Sequence, residues 1–222
     1  MSSSGGLTYH LRALRFAKNY WQGHRKGTQK FLEAWNPKAS ALVLVGPSAG
    51  YSLPEEFLNR FTQIIAIEPD AIARLLFAAR LKVKPTWKPG SLDFSQPVTK
   101  EQFPEACAFL FANVLGQVPI RNVPQFRANF MNFVNGHEWA SYHDALSGEE
   151  FEFDTDESGH RKATLAQMKS WIYLKFTKKS TLEVTAHVAP DLFLEKDHLQ
   201  YRYWQWQLTP KRSHLIEGVF KS

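Results

Sequence analysis

The sequence predicts a doubly wound, mostly parallel α/β sheet with an N-terminal helical cover and a C-terminal antiparallel hairpin. Three observations lead there. Short, wholly apolar runs at Leu42–Val45, Ile64–Ile67 and Ala108–Ala112 alternate with helix-patterned segments, as buried parallel strands alternate with their crossovers. The first run opens into a small-residue turn, Gly46-Pro-Ser-Ala-Gly50, and the second ends in an acid, Glu68, 22 residues beyond Gly46. Finally, Tyr201–Leu208 and His214–Lys221 alternate in polarity on either side of a turn at Thr209–Ser213, as a hairpin does.

Residues 7–35 read as helix. Leu7, Leu11, Leu14 and Trp21 repeat at helical spacing, with Arg12, Arg15 and Lys18 on another face. Gly23 and Gly27 are expected to interrupt this helix before Phe31, Leu32 and Trp35 resume its apolar face, and Asn36-Pro37 ends it. The helix is expected to cover the domain edge, giving a cover at 1–40 and an α/β domain at 41–222. Within the domain, Pro54–Phe61 is predicted helical after the first strand. Asp70 is expected to cap a helix at Asp70–Leu81 that buries Ile72, Leu75, Leu76 and Ala79. A third strand is predicted at Lys84–Trp87, a helix at Asn122–Val134, and a fifth strand at Glu138–Tyr142 ending at His143-Asp144. An acidic segment with phenylalanines between its charges, Glu149 to Glu157, suggests a hairpin or lid at about 148–162. A helix at Thr164–Phe176, facing inward through Leu165, Met168, Ile172 and Phe176, is predicted next. A strand through Leu182, Val184, Ala186 and Val188 follows.

Composition narrows the classes. The 222 residues are 44% hydrophobic and 14% aromatic, enough for a substantial core. No apolar run approaches the roughly 20 residues of a membrane span. The start, Met-Ser-Ser-Ser-Gly-Gly, lacks the basic and apolar regions of a secretory signal. Cys107 is the only cysteine, so neither an internal disulfide nor a multi-cysteine metal site is expected, and a cytoplasmic location is. The net charge of +6 is compatible with nucleic acid, but no basic run or binding motif supports that partner. The aromatic cluster Tyr201, Tyr203, Trp204 and Trp206 is read as packing in preference to base stacking.

The turn and the acid carry the chemistry. Backbone at a strand end must approach a nucleotide closely, and large side chains would prevent it. A carboxylate at the tip of the next strand accepts hydrogen bonds from ribose hydroxyls. Glu68 could instead cap the following helix, but Asp70 is the better cap. The Gly-x-Gly-x-x-Gly dinucleotide fingerprint fails, since Ser48 stands at the second glycine and no third follows closely. His143-Asp144 stands on the expected ligand-binding rim, where histidine could serve as general base. Neighbours on a strand face opposite ways, so the two would form a dyad only at a bend. Metal binding by His143 with His137 or Glu149 has no supporting spacing, and no metal is expected. Asp154, Asp156, Ser158 and Gly159 open like a calcium loop, but Leu165 stands where its bidentate glutamate belongs.

From Ala41 to Asp144 the sequence resembles the class I S-adenosylmethionine-dependent methyltransferases, a Rossmann-like family whose plan the terminal hairpin also fits. The resemblance implies that Gly46, Ser48 and Gly50 wrap the methionine part of S-adenosylmethionine. It implies that Glu68 binds the ribose and that Asp93, in Gly90-Ser-Leu-Asp93, contacts the adenine. It places Asn113, in Asn113-Val-Leu-Gly-Gln117, near the transferring methyl group, with Gln117 a weaker candidate. His143 and Asp144 complete the proposed catalytic set. The chain departs from the family pattern in two places: Leu42-Val43-Leu44-Val45 holds no acid, and Pro47-Ser48 replaces the middle of the usual turn. The implied activity is methyl transfer to an unidentified acceptor. The alternatives are a non-catalytic binding protein on the same fold, or a protein that binds or modifies nucleic acid.

Overall fold

The computed structural model describes residues 6–117, 120–149, 151–153, 162–174, 184–193 and 198–221. Two helices, α1 (Leu7–Tyr20) and α2 (Gln22–Trp35), precede the sheet. Then come β1 (Ala41–Val45), α3 (Glu55–Leu58), β2 (Gln63–Ile67), α4 (Ala71–Arg80) and β3 (Thr86–Lys88). They are followed by β4 (Cys107–Ala112), α5 (Val123–Val134) and β5 (Trp139–Glu149). The remaining elements are β6 (Phe151–Phe153), α6 (Leu165–Ser170), β7 (Ile172–Leu174), β8 (Val184–Ala186), β9 (Gln200–Thr209) and β10 (Arg212–Lys221).

The main sheet runs β3-β2-β1-β4-β5-β10-β9, and β8 pairs with β5. β1 through β5 are parallel, and β10 joins β5 and β9 antiparallel. The predicted doubly wound sheet and terminal hairpin are therefore present. β1 alternates between the two faces. Leu42 and Leu44 pack with Trp21, Phe31, Leu32 and Phe77 on one side, while Val43 and Val45 pack with Phe109, Phe130 and Phe133 on the other. Burial on both faces explains why these strands read as continuous apolar runs.

Several expectations shift. The helical cover breaks at Trp21, while Gly23 and Gly27 lie inside α2. Gly27 is there for proximity: a Cβ at that position would stand 2.4 Å from the Trp204 ring. The stripe Leu7, Leu11 and Leu14 points outward, and α1 buries His10 and Ala13. Likewise α4 buries Ala73 and Phe77 and leaves Ile72 and Leu75 exposed, though Asp70 caps it as expected by accepting from the Ile72 and Ala73 N–H groups. The helix predicted at Thr164–Phe176 ends at Ser170. Its residues 172–174 instead form β7, paired with β6, and Leu165 is exposed. A capping box closes its start, with Thr164 and Gln167 exchanging side-chain bonds with each other's backbone. Residues 150, 154–161 and 175–183 lie outside the described ones. With them go most of the acidic segment, the calcium-loop positions and Phe176.

The largest difference is β5. It does not end at Tyr142 but continues to Glu149. β4 leaves it at Ala112, opposite Tyr142, and β8 takes up pairing at Leu146 to Gly148. A register shift opposite Leu215/Ile216 leaves Ala145 as the extra residue of a bulge. His143 and Asp144 thus sit between the end of the parallel sheet and this bulge, not at a strand end. Among the described residues no helix is long and apolar enough to cross a membrane.

Candidate functional site

β1 ends at Val45 and the chain turns at once. Gly46, Ser48 and Gly50 all adopt positive φ, of 66°, 50° and 67°. A Cβ at Gly46 would meet the Val114 side chain at 2.8 Å, so only glycine allows β1 and β4 to release their loops side by side. The turn is closed by the carboxylate at the end of β2. Glu68 Oε2 accepts the Ser48 N–H at 2.9 Å, and its Oε1 accepts the Asp70 N–H at 3.0 Å. Burial raises the Glu68 carboxyl above its ordinary value, and the two N–H bonds work against that rise. Each carboxylate oxygen accepts more than one hydrogen bond, so Glu68 keeps acceptor capacity toward the cavity beside it.

That cavity, of about 260 Å³, opens at the carboxyl edge of β1, β2 and β4. Gly46, Ser48, Glu68, Gly90, Asn113 and Gln117 are among its walls. Asn113 holds a left-handed conformation, φ 56°, and donates its N–H to the Tyr142 carbonyl at 2.8 Å. Its side-chain Oδ1 is buried without a hydrogen-bond partner, an acceptor waiting for a donor. The N-terminal cover roofs the site. Gly6, Tyr9 and His24 line it, and His10 anchors α1 through Tyr51 (3.2 Å) and Asp70 (3.4 Å). Tyr142 also lines it, with its hydroxyl 3.1 Å from Ser52 Oγ and its phenol pushed up to about 12 by burial. Tyr9, His24, Ser52 and Tyr142 escaped the sequence reading because they come from separate elements with no shared spacing.

The structure thus brings together Gly46, Ser48, Glu68 and Asn113, with Gln117 at the same wall. It does not bring Gly50, Asp93 or His143 to the cavity. Gly50 packs behind the turn, where its Cβ would lie 2.8 Å from Leu81 and 3.0 Å from Phe77. Asp93 is exposed and bonds within its own loop, accepting the Ser95 N–H and hydroxyl at 2.8 Å each, which holds its carboxyl below the ordinary value. His143 is fully buried on the opposite sheet face. Ser141 Oγ lies 3.2 Å from its Nδ1, Glu217 Oε1 lies 3.3 Å from its Nε2, and Phe193 stacks on the ring. His143 cannot reach an acceptor there, so the general-base role expected of it is withdrawn. As β5 runs extended through this point, His143 and Asp144 face opposite ways and form no dyad.

Asp144 faces the ligand side. With His214, Tyr9, Asn113 and Gln117 it lines a smaller cavity of about 90 Å³ that shares Tyr9, Asn113 and Gln117 with the first. Burial raises the Asp144 carboxyl, but the neighbouring His214, His187 and His24 rings outweigh it and leave the group below its ordinary value. His137 and Glu149 do not gather with His143 into a metal site. His137 Nδ1 is 3.1 Å from the Cys107 carbonyl, and Glu149 stands opposite Arg212 in the backbone ladder at the far end of β5.

No family model matches the chain, and no curated protein does. Several solved structures resemble it. One is NodS, an N-methyltransferase from Bradyrhizobium japonicum WM9 in complex with S-adenosyl-L-homocysteine. It is 15% identical over 97% of this chain and 99% of that one, with a TM-score of 0.49. Another is SAM-bound CalS10, an amino pentose methyltransferase from Micromonospora echinaspora, 14% identical over the whole of both chains, with a TM-score of 0.46. A third is a S-adenosylmethionine-dependent methyltransferase from Clostridium acetobutylicum ATCC 824, 10% identical over 96% of each chain, with a TM-score of 0.46. Identities and TM-scores this low give the chain neither a family nor a function. The chain's own strand order, with crossovers on both faces and an antiparallel hairpin at one edge, is that of a doubly wound, mostly parallel α/β sheet.

Proposed function

We propose that the chain binds S-adenosylmethionine at the edge of β1, β2 and β4 and transfers its methyl group to an acceptor entering beside Tyr9 and Asn113. The observation that carries this reading is the Glu68 carboxylate, fixed by two backbone N–H groups and standing at the cavity wall beside the turn after β1. The residues present fit the cofactor. A carboxylate suits ribose hydroxyls, the Gly46 turn admits close backbone approach, and the buried Asn113 Oδ1 lacks a donor.

When bound, the cofactor supplies a sulfonium methyl carbon already activated for attack, so the protein's part is alignment and exclusion of water. Gly46 and Ser48 would lie along the methionine portion, and Glu68 would hold the sugar. Asn113 Oδ1 would accept a hydrogen from the acceptor's hydroxyl or amine and orient its lone pair. Asp144, adjoining the same space, is the group placed to balance positive charge that develops there. The α1 helix would shield the site from solvent through Tyr9. A single cysteine, Cys107, can form no internal disulfide, which supports a cytoplasmic setting.

Isothermal titration of S-adenosylhomocysteine tests the proposal. One-to-one binding is expected, weakened at least about tenfold in Glu68→Ala, the loss typical of a charge-assisted hydrogen bond. An absence of heat at millimolar ligand, with the protein folded, overturns it. Binding without methyl transfer to any acceptor would leave a non-catalytic member of the fold.

A further inference from the structure

Three side chains that the sequence scatters over β5, β10 and the loop after β8 meet beside the proposed acceptor cavity. Asp144, His187 and His214 each offer a donor atom, and these atoms all lie within 4.8 Å of one another. Among the described residues they form the one such group of three. Their backbones are held in register: Asp144 precedes the β5 bulge, His214 is paired within β10, and the His187 N–H is bonded to the Ala145 carbonyl of that bulge at 3.0 Å. His187 Nε2 also lies 3.0 Å from Ser147 Oγ. Each ligand is therefore fixed by the sheet it grows from.

The geometry between two of them is informative. Asp144 Oδ1 and His214 Nδ1 are 3.0 Å apart, close enough for a salt bridge. Both atoms are buried and make no well-formed hydrogen bond, although the ring is close enough to hold the Asp144 carboxyl down. A tetrahedral metal about 2.1 Å from each would hold its nitrogen and oxygen ligands about 3.4 Å apart, a few tenths of an ångström wider than they stand here. The competing arrangement is an ordinary His–Asp pair with Arg212 on the far ring nitrogen. That contact, Arg212 Nε to His214 Nε2, is 3.4 Å and weak.

We infer that Asp144, His187 and His214 form a site for a divalent metal of the zinc type, on the acceptor side of the proposed methyl-transfer pocket. Two imidazoles and one carboxylate favour zinc, cobalt, iron or nickel over magnesium and calcium, which prefer all-oxygen shells. Three protein ligands leave at least one coordination position for water or a ligand oxygen. Asp144 and His214 both line the small cavity shared with Tyr9, Asn113 and Gln117, so that position adjoins the space where an acceptor would enter.

Cobalt is the probe, because its visible d–d bands report coordination directly. Protein stripped with chelator is titrated with Co²⁺ alone, without any S-adenosyl compound, and competed with Zn²⁺ and Mg²⁺. Saturation at one metal per chain is expected, with displacement by Zn²⁺ and none by equimolar Mg²⁺. His187→Ala and His214→Ala are each expected to weaken Co²⁺ at least tenfold, while His198→Ala, at an exposed position apart from the cluster, keeps wild-type affinity. Should a variant fail to fold by circular dichroism, proton spectra of the wild type decide. Bound Co²⁺ should shift the ring protons of His187 and His214 strongly and those of His10 hardly at all. No stoichiometric binding, or binding that both alanine variants retain, overturns the site. The cofactor titration above is independent of it, so either reading can fail while the other stands.

Discussion

Ser48 and Glu68 meet across the mouth of the sheet, the backbone N–H of one held 2.9 Å from the carboxylate of the other. This contact joins the loop after β1 to the end of β2 and sets the wall of the proposed cofactor pocket. It has a pH signature. Burial raises the Glu68 carboxyl from its ordinary value of 4.5, against the Asp70 and Ser48 bonds. For a raised acid, the stability contribution is full below the ordinary value and is lost as pH rises through the folded one. Ligand affinity runs the other way, because only the carboxylate accepts two ribose hydroxyls. Calorimetry with S-adenosylhomocysteine should therefore show affinity falling as the pH is lowered from neutral to the ordinary carboxyl value of 4.5. A flat profile would mean that Glu68 does not hold the sugar.

His24 makes the fold acid-sensitive. The Trp204 indole N–H donates to His24 Nδ1 at 3.0 Å, and Trp206 stacks on the ring at 4.5 Å. Protonating Nδ1 would set N–H against N–H. Burial lowers the imidazole first of all, and it is pushed down to about 3 from 6.5. The folded state thus binds its proton later than the unfolded one. Stability from this group is complete above pH 6.5 and declines as pH falls toward 3, by at most about 1.4 kcal/mol per pH unit. His187, also lowered mainly by burial, adds to the slope. Denaturant unfolding of metal-free protein between pH 7 and pH 5 should show this decline, and His24→Phe should flatten it without abolishing it.

The elements that the sequence made legible are those governed by local rules. The apolar runs of β1, β2 and β4, the offset of Glu68, the Asp70 cap and the terminal hairpin each follow from neighbours in the chain. Helix faces were less legible. The docked structure buries His10 with Ala13 in α1, and Ala73 with Phe77 in α4, in place of the stripes that spacing picks out. Gly27 looked like a break because its reason, the Trp204 ring, comes from the far end of the chain. The site divides the same way. Glu68 announced itself by spacing from a glycine turn. His187 and His214 have no spacing that links them to Asp144, since the bulge at Ala145 and the pairing of β10 bring them together.

Glu217 explains where His143 went. Its carboxylate is fully buried and takes the Lys162 ammonium at 2.8 and 2.9 Å, the Tyr203 hydroxyl at 2.7 Å and His143 Nε2 at 3.3 Å. Burial raises the carboxyl, but the His143 bond and the Lys162 charge outweigh it and hold it below 4.5. Stability from Glu217 is therefore present above that value and is lost only as pH falls below it. Replacing the acid strands a lysine and a tyrosine hydroxyl. Glu217→Ala is expected to lose about 3–5 kcal/mol in denaturant unfolding. His143→Asn, by contrast, should leave S-adenosylhomocysteine affinity within about twofold, since the ring lies away from the cavity. A large loss of affinity in that variant would return His143 to the functional site.

Two glycines of α2 give opposite expectations from the same substitution. In a helix interior, alanine in place of glycine stabilises by roughly 0.5–1 kcal/mol through chain entropy. At Gly23 nothing opposes this, because the nearest atom to an added Cβ is the Gln205 carbonyl oxygen at 3.9 Å. At Gly27 the added carbon would stand 2.4 Å from two atoms of the Trp204 ring. That ring cannot retreat. It packs against Phe31 and Tyr142, and its far edge lies 2.7 Å from where a Cβ on Gly218 would be. The overlap must be relieved by moving α2 off the sheet, which costs about 1–3 kcal/mol. Gly23→Ala should raise the midpoint of thermal unfolding and Gly27→Ala should lower it. If both raised it, α2 would not rest on Trp204, and the roof that places Tyr9 and His24 over the cavity would have to be redrawn.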